Sequence, residues 1–270
     1  MNLAEEIRGT QVPPDHLGIC WLGQAGFLLK APDGTSMVLD PYLTECGERI
    51  RGFKRLSPML IAPEELAVDY YVTSHLHFDH FDYDAIPIVA QCTKRTLFFG
   101  PFFGPASCQE KFIELGIQAN RCHRLDRGEC YQDEKILIRA VMADHGTMAP
   151  DAIGLLVAFA GHRLYFSGDT AFHSELFQEI RIFEPDIAVL SVNGAFGNMN
   201  AEEGAAAAEL TGARYAVPCH FWTFMEHGGL PGQFCEQLLL KGTCQPLCFR
   251  QGEIRTMQCH TNRERKKETA

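Results

Sequence analysis

The stretch Ser74-His75-Leu76-His77-Phe78-Asp79-His80 constrains this chain more than any other. Three imidazoles and a carboxylate fall within six residues, and such ligands suit zinc and other borderline divalent ions. A single histidine is usually a surface or hydrogen-bonded core residue; three at this spacing with an aspartate seldom arise by chance. The preceding run, Val68-Asp69-Tyr70-Tyr71-Val72-Thr73, is rich in β-branched and aromatic residues and predicts a strand. If His75 and His77 continue that strand, they project to one side, because side chains alternate along an extended chain. Asp79 and His80 would then stand where the chain turns away and face a second ion.

Three downstream segments carry further ligand types: Ala143-Asp144-His145-Gly146, Tyr165-Phe166-Ser167-Gly168-Asp169-Thr170 and Val217-Pro218-Cys219-His220. Taken singly, His145 beside Gly146 and Asp169 after Gly168 also read as turn residues. Taken together and in this order, the His-x-His-x-Asp-His motif and its followers resemble the metallo-β-lactamase superfamily. The resemblance covers roughly residues 17 to 240. It implies a single-domain, four-layer αββα sandwich of two similar halves, with metal at the sheet edge between them.

The same resemblance implies two divalent ions. His75, His77 and His145 would hold one; Asp79, His80 and His220 the other; Asp169 would bridge them. Such a site leaves room for water, as catalytic sites do. It implies a metal-bridging hydroxide as nucleophile, with Asp79 and Asp169 as the catalytic carboxylates. Asp40, at another strand end, would orient a ligand histidine from behind. Oxygen-reducing di-iron relatives usually carry glutamate at the position of His77, and no flavodoxin-like stretch follows here, so hydrolysis is expected rather than redox chemistry.

Composition narrows the partners. The chain has 270 residues, 46% hydrophobic and 21% charged, within the range of one soluble globular domain. A formal net charge of −10 argues against a broad nucleic-acid footprint. No apolar run reaches membrane-spanning length and the N-terminus lacks a secretion-signal pattern, so a cytoplasmic location and no membrane contact are expected. The 11 cysteines show no repeated pair spacing, Cys244 and Cys248 being the closest pair, and are expected as free thiols. Cys219, beside His220, is expected to pack in the core rather than act as a nucleophile. The sequence leaves homo-oligomerisation open.

Apolar, β-rich runs alternate with helical patterns, which predicts an α/β fold. Residues 1–16 read as an N-terminal extension, 17–261 as the hydrolase domain and 262–270 as a disordered tail. Asp33-Gly34 and Gly161 each mark a hairpin. Gly26-Phe27-Leu28-Leu29 leading to Leu39-Asp40 echoes Gly154-Leu155-Leu156-Val157 leading to Gly168-Asp169, in keeping with a duplication.

Residues 44–65 are less regular and gather Arg49, Arg51, Lys54 and Arg55. They read either as a solvated loop or as a flap whose cations meet an anionic substrate. His227 is expected to line the pocket. Within the superfamily, the L-ascorbate-6-phosphate lactonase-like branch looks most similar, through Trp21-Leu22-Gly23-Gln24-Ala25-Gly26, His80-Phe81-Asp82, Phe99-Gly100-Pro101 and Asp186-Ile187-Ala188-Val189-Leu190. This chain is shorter than that lactonase. The branch implies opening of a lactone, such as a sugar-phosphate lactone, with Arg51, Lys54 and Arg55 on the phosphate. It suggests manganese, whereas superfamily habit suggests zinc. The alternatives are a phosphodiesterase or other esterase on the same core, or a non-catalytic metal-binding module.

Overall fold

Strand β1 (His16–Gly23) divides two apolar environments with alternate side chains. Leu17, Ile19 and Trp21 enter a large core shared with a second sheet, while Cys20 and Leu22 enter a smaller core beneath helices. The computed structural model describes residues 2–102 and 107–258; the charged run 262–270, expected as a tail, lies outside them.

The first sheet continues through β2 (Gly26–Lys30), β3 (Ser36–Leu39), β4 (Tyr70–Val72), β5 (Leu97–Gly100) and β6 (Cys122–Arg124). The second is built from β7 (Cys130–Gln132), β8 (Ile136–Met142), β9 (Ile153–Phe159), β10 (His162–Phe166), β11 (Ile187–Ser191), β12 (Tyr215–Cys219) and β13 (Gln245–Pro246). The chain then returns to the first sheet as β14 (Ile254–Gln258), antiparallel to β1. The strand orders are β14-β1-β2-β3-β4-β5-β6 and β7-β8-β9-β10-β11-β12-β13. In both, the first three pairings are antiparallel and the next three parallel. The short sequence echo thus belongs to a repeat of the whole sheet topology.

Helices α1 (Leu3–Gly9), α2 (Cys46–Arg51), α3 (Ala85–Cys92) and α4 (Cys108–Glu114) fall in the first half. Ala4, Ile86, Val89 and Phe112 carry α1, α3 and α4 onto the outer face of the first sheet. The N-terminal segment is therefore packed into the layer, and Lys30 Nζ ties it down by donating to the Ile7, Arg8 and Thr10 carbonyls. Helices α5 (Ser174–Ile180), α6 (Ala201–Thr211) and α7 (Pro231–Lys241) cover the second sheet through Phe177, Ala205, Ala208, Phe234 and Leu238. Asn200 and Glu203 form a capping box that starts α6. The layers are α, β, β, α, as expected.

Among the described residues, no helix is long and apolar enough to cross a membrane. The strands β7, β13 and β14 were not foreseen. They are short or half-exposed edge strands, and their pairing partners, rather than their own pattern, define them.

Candidate metal centre

The functional side chains gather where strands of both sheets end. Strand β4 stops at Val72, so His75 and His77 lie on the following turn and not on a continued strand as expected. The turn still brings them together, with ring centroids 4.5 Å apart. Asp82 secures this loop: its carboxylate accepts from the Leu43, Thr44 and Ala85 backbone N–H groups.

Among the described residues four overlapping groups could hold a metal, Asp40, His75 and His80 forming one of them, and two of the four share Asp169. Of these two, His75, His77, His145 and Asp169 form the first, and His80, Asp169 and His220 form the second. Asp169 belongs to both. Its Oδ1 lies 3.3 Å from His80 Nε2 and 3.3 Å from His220 Nε2, and its Oδ2 lies 3.6 Å from His145 Nε2. Gly168 makes this placement possible, because it adopts φ +57° and a Cβ there would stand 2.8 Å from the Ile153 carbonyl oxygen.

Asp79 joins the second group, with Oδ2 3.2 Å from His220 Nε2. Asp40 stands behind it. Its Oδ1 accepts from the Ser74 backbone N–H at 2.7 Å, and its Oδ2 lies 2.6 Å from His80 Nδ1. That contact leaves His80 Nε2 facing the site, the arrangement expected of a ligand held from behind.

The donor set fits a bound cation. Asp40, Asp79 and Asp169 are all buried, and their side-chain partners are chiefly imidazoles. Burial works against charge on Asp169, yet His220 and His80 outweigh it and hold the carboxyl well below the usual range. Burial likewise opposes charge on Asp79, and His80 and His220 keep it ionised. Burial depresses His75 and His77 and draws His145 down to about 4, so these rings present lone pairs. His80 Nε2 and His220 Nε2 point at one another across 3.0 Å, and Asp169 Oδ1 has no hydrogen-bond partner. A buried carboxylate oxygen without a hydrogen-bond partner is costly, and a cation shared with the neighbouring imidazoles would satisfy it.

Gln24 was not singled out as a site residue. It is fully buried between β1 and β2, with φ 51°, and its Nε2 donates to Asp79 Oδ2 at 2.7 Å. The same nitrogen lies 3.0 Å from His220 Nε2 and 3.1 Å from His227 Nδ1. A polar residue inside the small, apolar Gly23-Gln24-Ala25-Gly26 turn was the signal available in the sequence. His227 stands beside the ligands, stacked on His220, and forms a further possible ligand group with Asp79 and His220.

The basic segment divides. Arg51 lines the cavity over the ligands. Lys54 is exposed and is not among the cavity-lining residues. Arg55 corrects the expectation of a phosphate contact: it is buried, its Nη1 donates to the Tyr42 and Thr44 carbonyls and its Nε to the Ser57 carbonyl. Its guanidinium also lies over the Tyr42 ring at 4.7 Å, so it braces the loop from within. Cys219 packs in the core as expected, where burial raises its thiol pKa far above the usual range.

Comparison with known proteins agrees with this geometry. The sequence pattern of the Beta-lactamase superfamily domain matches residues 36–221. A UPF0173 metal-dependent hydrolase of Herpetosiphon aurantiacus is 29% identical over 223 residues, covering 79% of this chain and 86% of its own. A probable L-ascorbate-6-phosphate lactonase of Shigella boydii is 25% identical over 264 residues, covering 81% and 73%. Among solved structures, the metallo hydrolase Igni18 of Ignicoccus hospitalis superposes with a TM-score of 0.72 at 21% identity, over 90% of this chain and 99% of its own.

Proposed function

The chain belongs to the beta-lactamase superfamily and is a metal-dependent hydrolase, and on that footing we propose that it opens a carboxylic ester, most simply a lactone, at a two-ion centre. The observation that carries the two-ion reading is Asp169, whose two oxygens face different ligand groups. His75, His77 and His145 would hold one ion, and Asp79, His80 and His220 the other. Manganese or zinc suits these imidazoles and carboxylates. When bound, such ions lower the pKa of a captured water and polarise the scissile carbonyl.

The chain's own residues supply the rest. Asp40 fixes the His80 ring so that Nε2 stays turned inward. Gln24 holds Asp79 through Oδ2 and so fixes the carboxylate that would orient the attacking water by accepting its hydrogen bond. Asp169 and Asp79, both kept ionised, balance the positive charge of the centre. The substrate is a small molecule. Relatedness to the lactonase supports the lactone reading and leaves a sugar-phosphate lactone such as L-ascorbate 6-phosphate as one substrate of the class, with Arg51 as the cation placed to meet an anionic group. A cytoplasmic setting accords with the free cysteines.

The test is elemental analysis of the metal-replete protein combined with a lactone panel and bis(p-nitrophenyl) phosphate. The expected result is two ions per chain, lactone opening, and a loss of at least about 100-fold in turnover together with lost metal in Asp169→Asn. Cleavage of the phosphodiester alone would move the reading to a phosphodiesterase. Metal binding without turnover of any ester would leave a binding module.

A further inference from the structure

The cavity over the ligands has a volume of about 160 Å³, and its walls differ sharply in chemistry. Beyond the ligands and His227 it is lined by Phe53, Phe78, Phe196 and Met148, with Arg51 as its cation. The rings are continuous with the second ligand group. His227 stacks on His220 with centroids 4.8 Å apart, Phe196 stands 5.4 Å from His227, and Phe53 stands 6.0 Å from Phe196 and 5.6 Å from Phe78. Buried Phe224 backs this wall, 5.8 Å from Phe53 and 5.0 Å from His227.

Phe196 supplies a second, independent observation. It has φ 53°, which a bulky residue adopts only where its surroundings hold it there, and it is 42% exposed at the mouth. A strained backbone that presents an apolar ring to solvent costs stability, and covering that ring with an apolar group recovers part of it. A polyhydroxylated substrate needs several placed donors and acceptors, since unpaired hydroxyls in a closed site are costly. Arg51 and His227 are the polar groups offered here besides the ligands, because Arg55 is committed to backbone carbonyls.

We propose that the preferred substrate is an aryl ester or aryl lactone, its ring seated against Phe53 and Phe196 on the His220–His227 side. Arg51 receives any single anionic group at the mouth. In the reaction the oxygen of water bonds to the acyl carbon, the acyl C–O bond breaks, and the leaving oxygen takes the proton, giving a hydroxy acid from a lactone. This inference rests on the hydrolase reading above and narrows it.

The experiment uses metal-replete full-length protein with dihydrocoumarin as the aryl lactone and D-glucono-δ-lactone as the polar one, each corrected for spontaneous opening. The expected kcat/KM is at least about tenfold higher for dihydrocoumarin. Phe53→Ser and Phe196→Ser should each shrink that preference about fivefold or more, chiefly through KM, and Phe196→Tyr should restore it. Phe196 is exposed, so its variants keep the fold, which circular dichroism checks. Equal or better opening of the sugar lactone, or an unchanged preference in both serine variants, overturns the aromatic-wall inference and leaves the hydrolase reading standing. Failure to open either lactone, with phosphodiester cleavage or no ester turnover at all, removes both.

Discussion

Asp40 Oδ2 meets His80 Nδ1 at 2.6 Å, with both side chains fully buried. Asp40 follows β3 and Asp169 follows β10, the equivalent strands of the two halves. One repeat has placed its aspartate behind a ligand and the other has placed it among the ligands. Asp40→Asn keeps an acceptor for Ser74 but loses the charge that orients His80. It should weaken the ion held by His80 about 10–100-fold. Metal content after dialysis against a graded chelator measures this, and wild-type occupancy would remove the orienting role.

Arg55 and Arg51 should separate by readout. Arg55→Ala breaks three hydrogen bonds to loop carbonyls, the one to Tyr42 buried, and should cost about 2 kcal/mol or more in urea unfolding. Arg51→Ala should change stability by about 0.5 kcal/mol or less, as an exposed residue. With an anionic lactone, KM should rise in Arg51→Ala and stay near wild type in any folded Arg55 variant. A raised KM with intact stability in the Arg55 variant would restore its phosphate role.

His123 gives a pH dependence remote from the ligands. It stacks on Phe99 with centroids 5.0 Å apart, and burial lowers its pKa. The unfolded chain, with its histidine near about 6.5, therefore takes up this proton first as pH falls. The contribution is present above that value and is lost as pH drops through the lower folded pKa. His123→Phe keeps the ring stack and removes the titration. Its melting temperature should fall less than the wild type's between pH 7 and pH 5; an identical fall would show that the ring titrates freely.

Cys235 and Cys248 have their sulfurs 2.7 Å apart, although Cys244 is the nearer partner of Cys248 in sequence. The Cys235 thiol and the Arg255 cation draw Cys248 down to about 7, against the effect of burial. A disulfide oxidant such as oxidised glutathione should join the pair, releasing two reduced glutathione molecules for each bond formed. Peptide mapping should find a Cys235–Cys248 crosslink, absent in Cys235→Ser. Persistence of both thiols under conditions that oxidise free cysteine would sink the prediction.

The seven candidate ligands, which the fold brings together, were legible because ligand chemistry admits few residue types and four of them lie within His75–His80. The strands β1, β2, β9 and β10 were legible because both faces of each sheet are covered, so their residues are buried and apolar almost without a break. The edge strands β7, β13 and β14 were not, because pairing with distant strands makes them.

The sequence by itself determined the α/β class and the order of the candidate ligand motifs through local pattern and residue chemistry, and the sandwich and the hydrolytic class through its resemblance to a known superfamily. Tertiary structure alone decided that Arg55 braces a loop, that Gln24 reaches Asp79 from 55 positions away, and that Phe53 and Phe196 close an aromatic wall over the centre. A side chain's charge or ring is written in the sequence, but its partner is fixed by which remote backbone folds within hydrogen-bond or van der Waals reach.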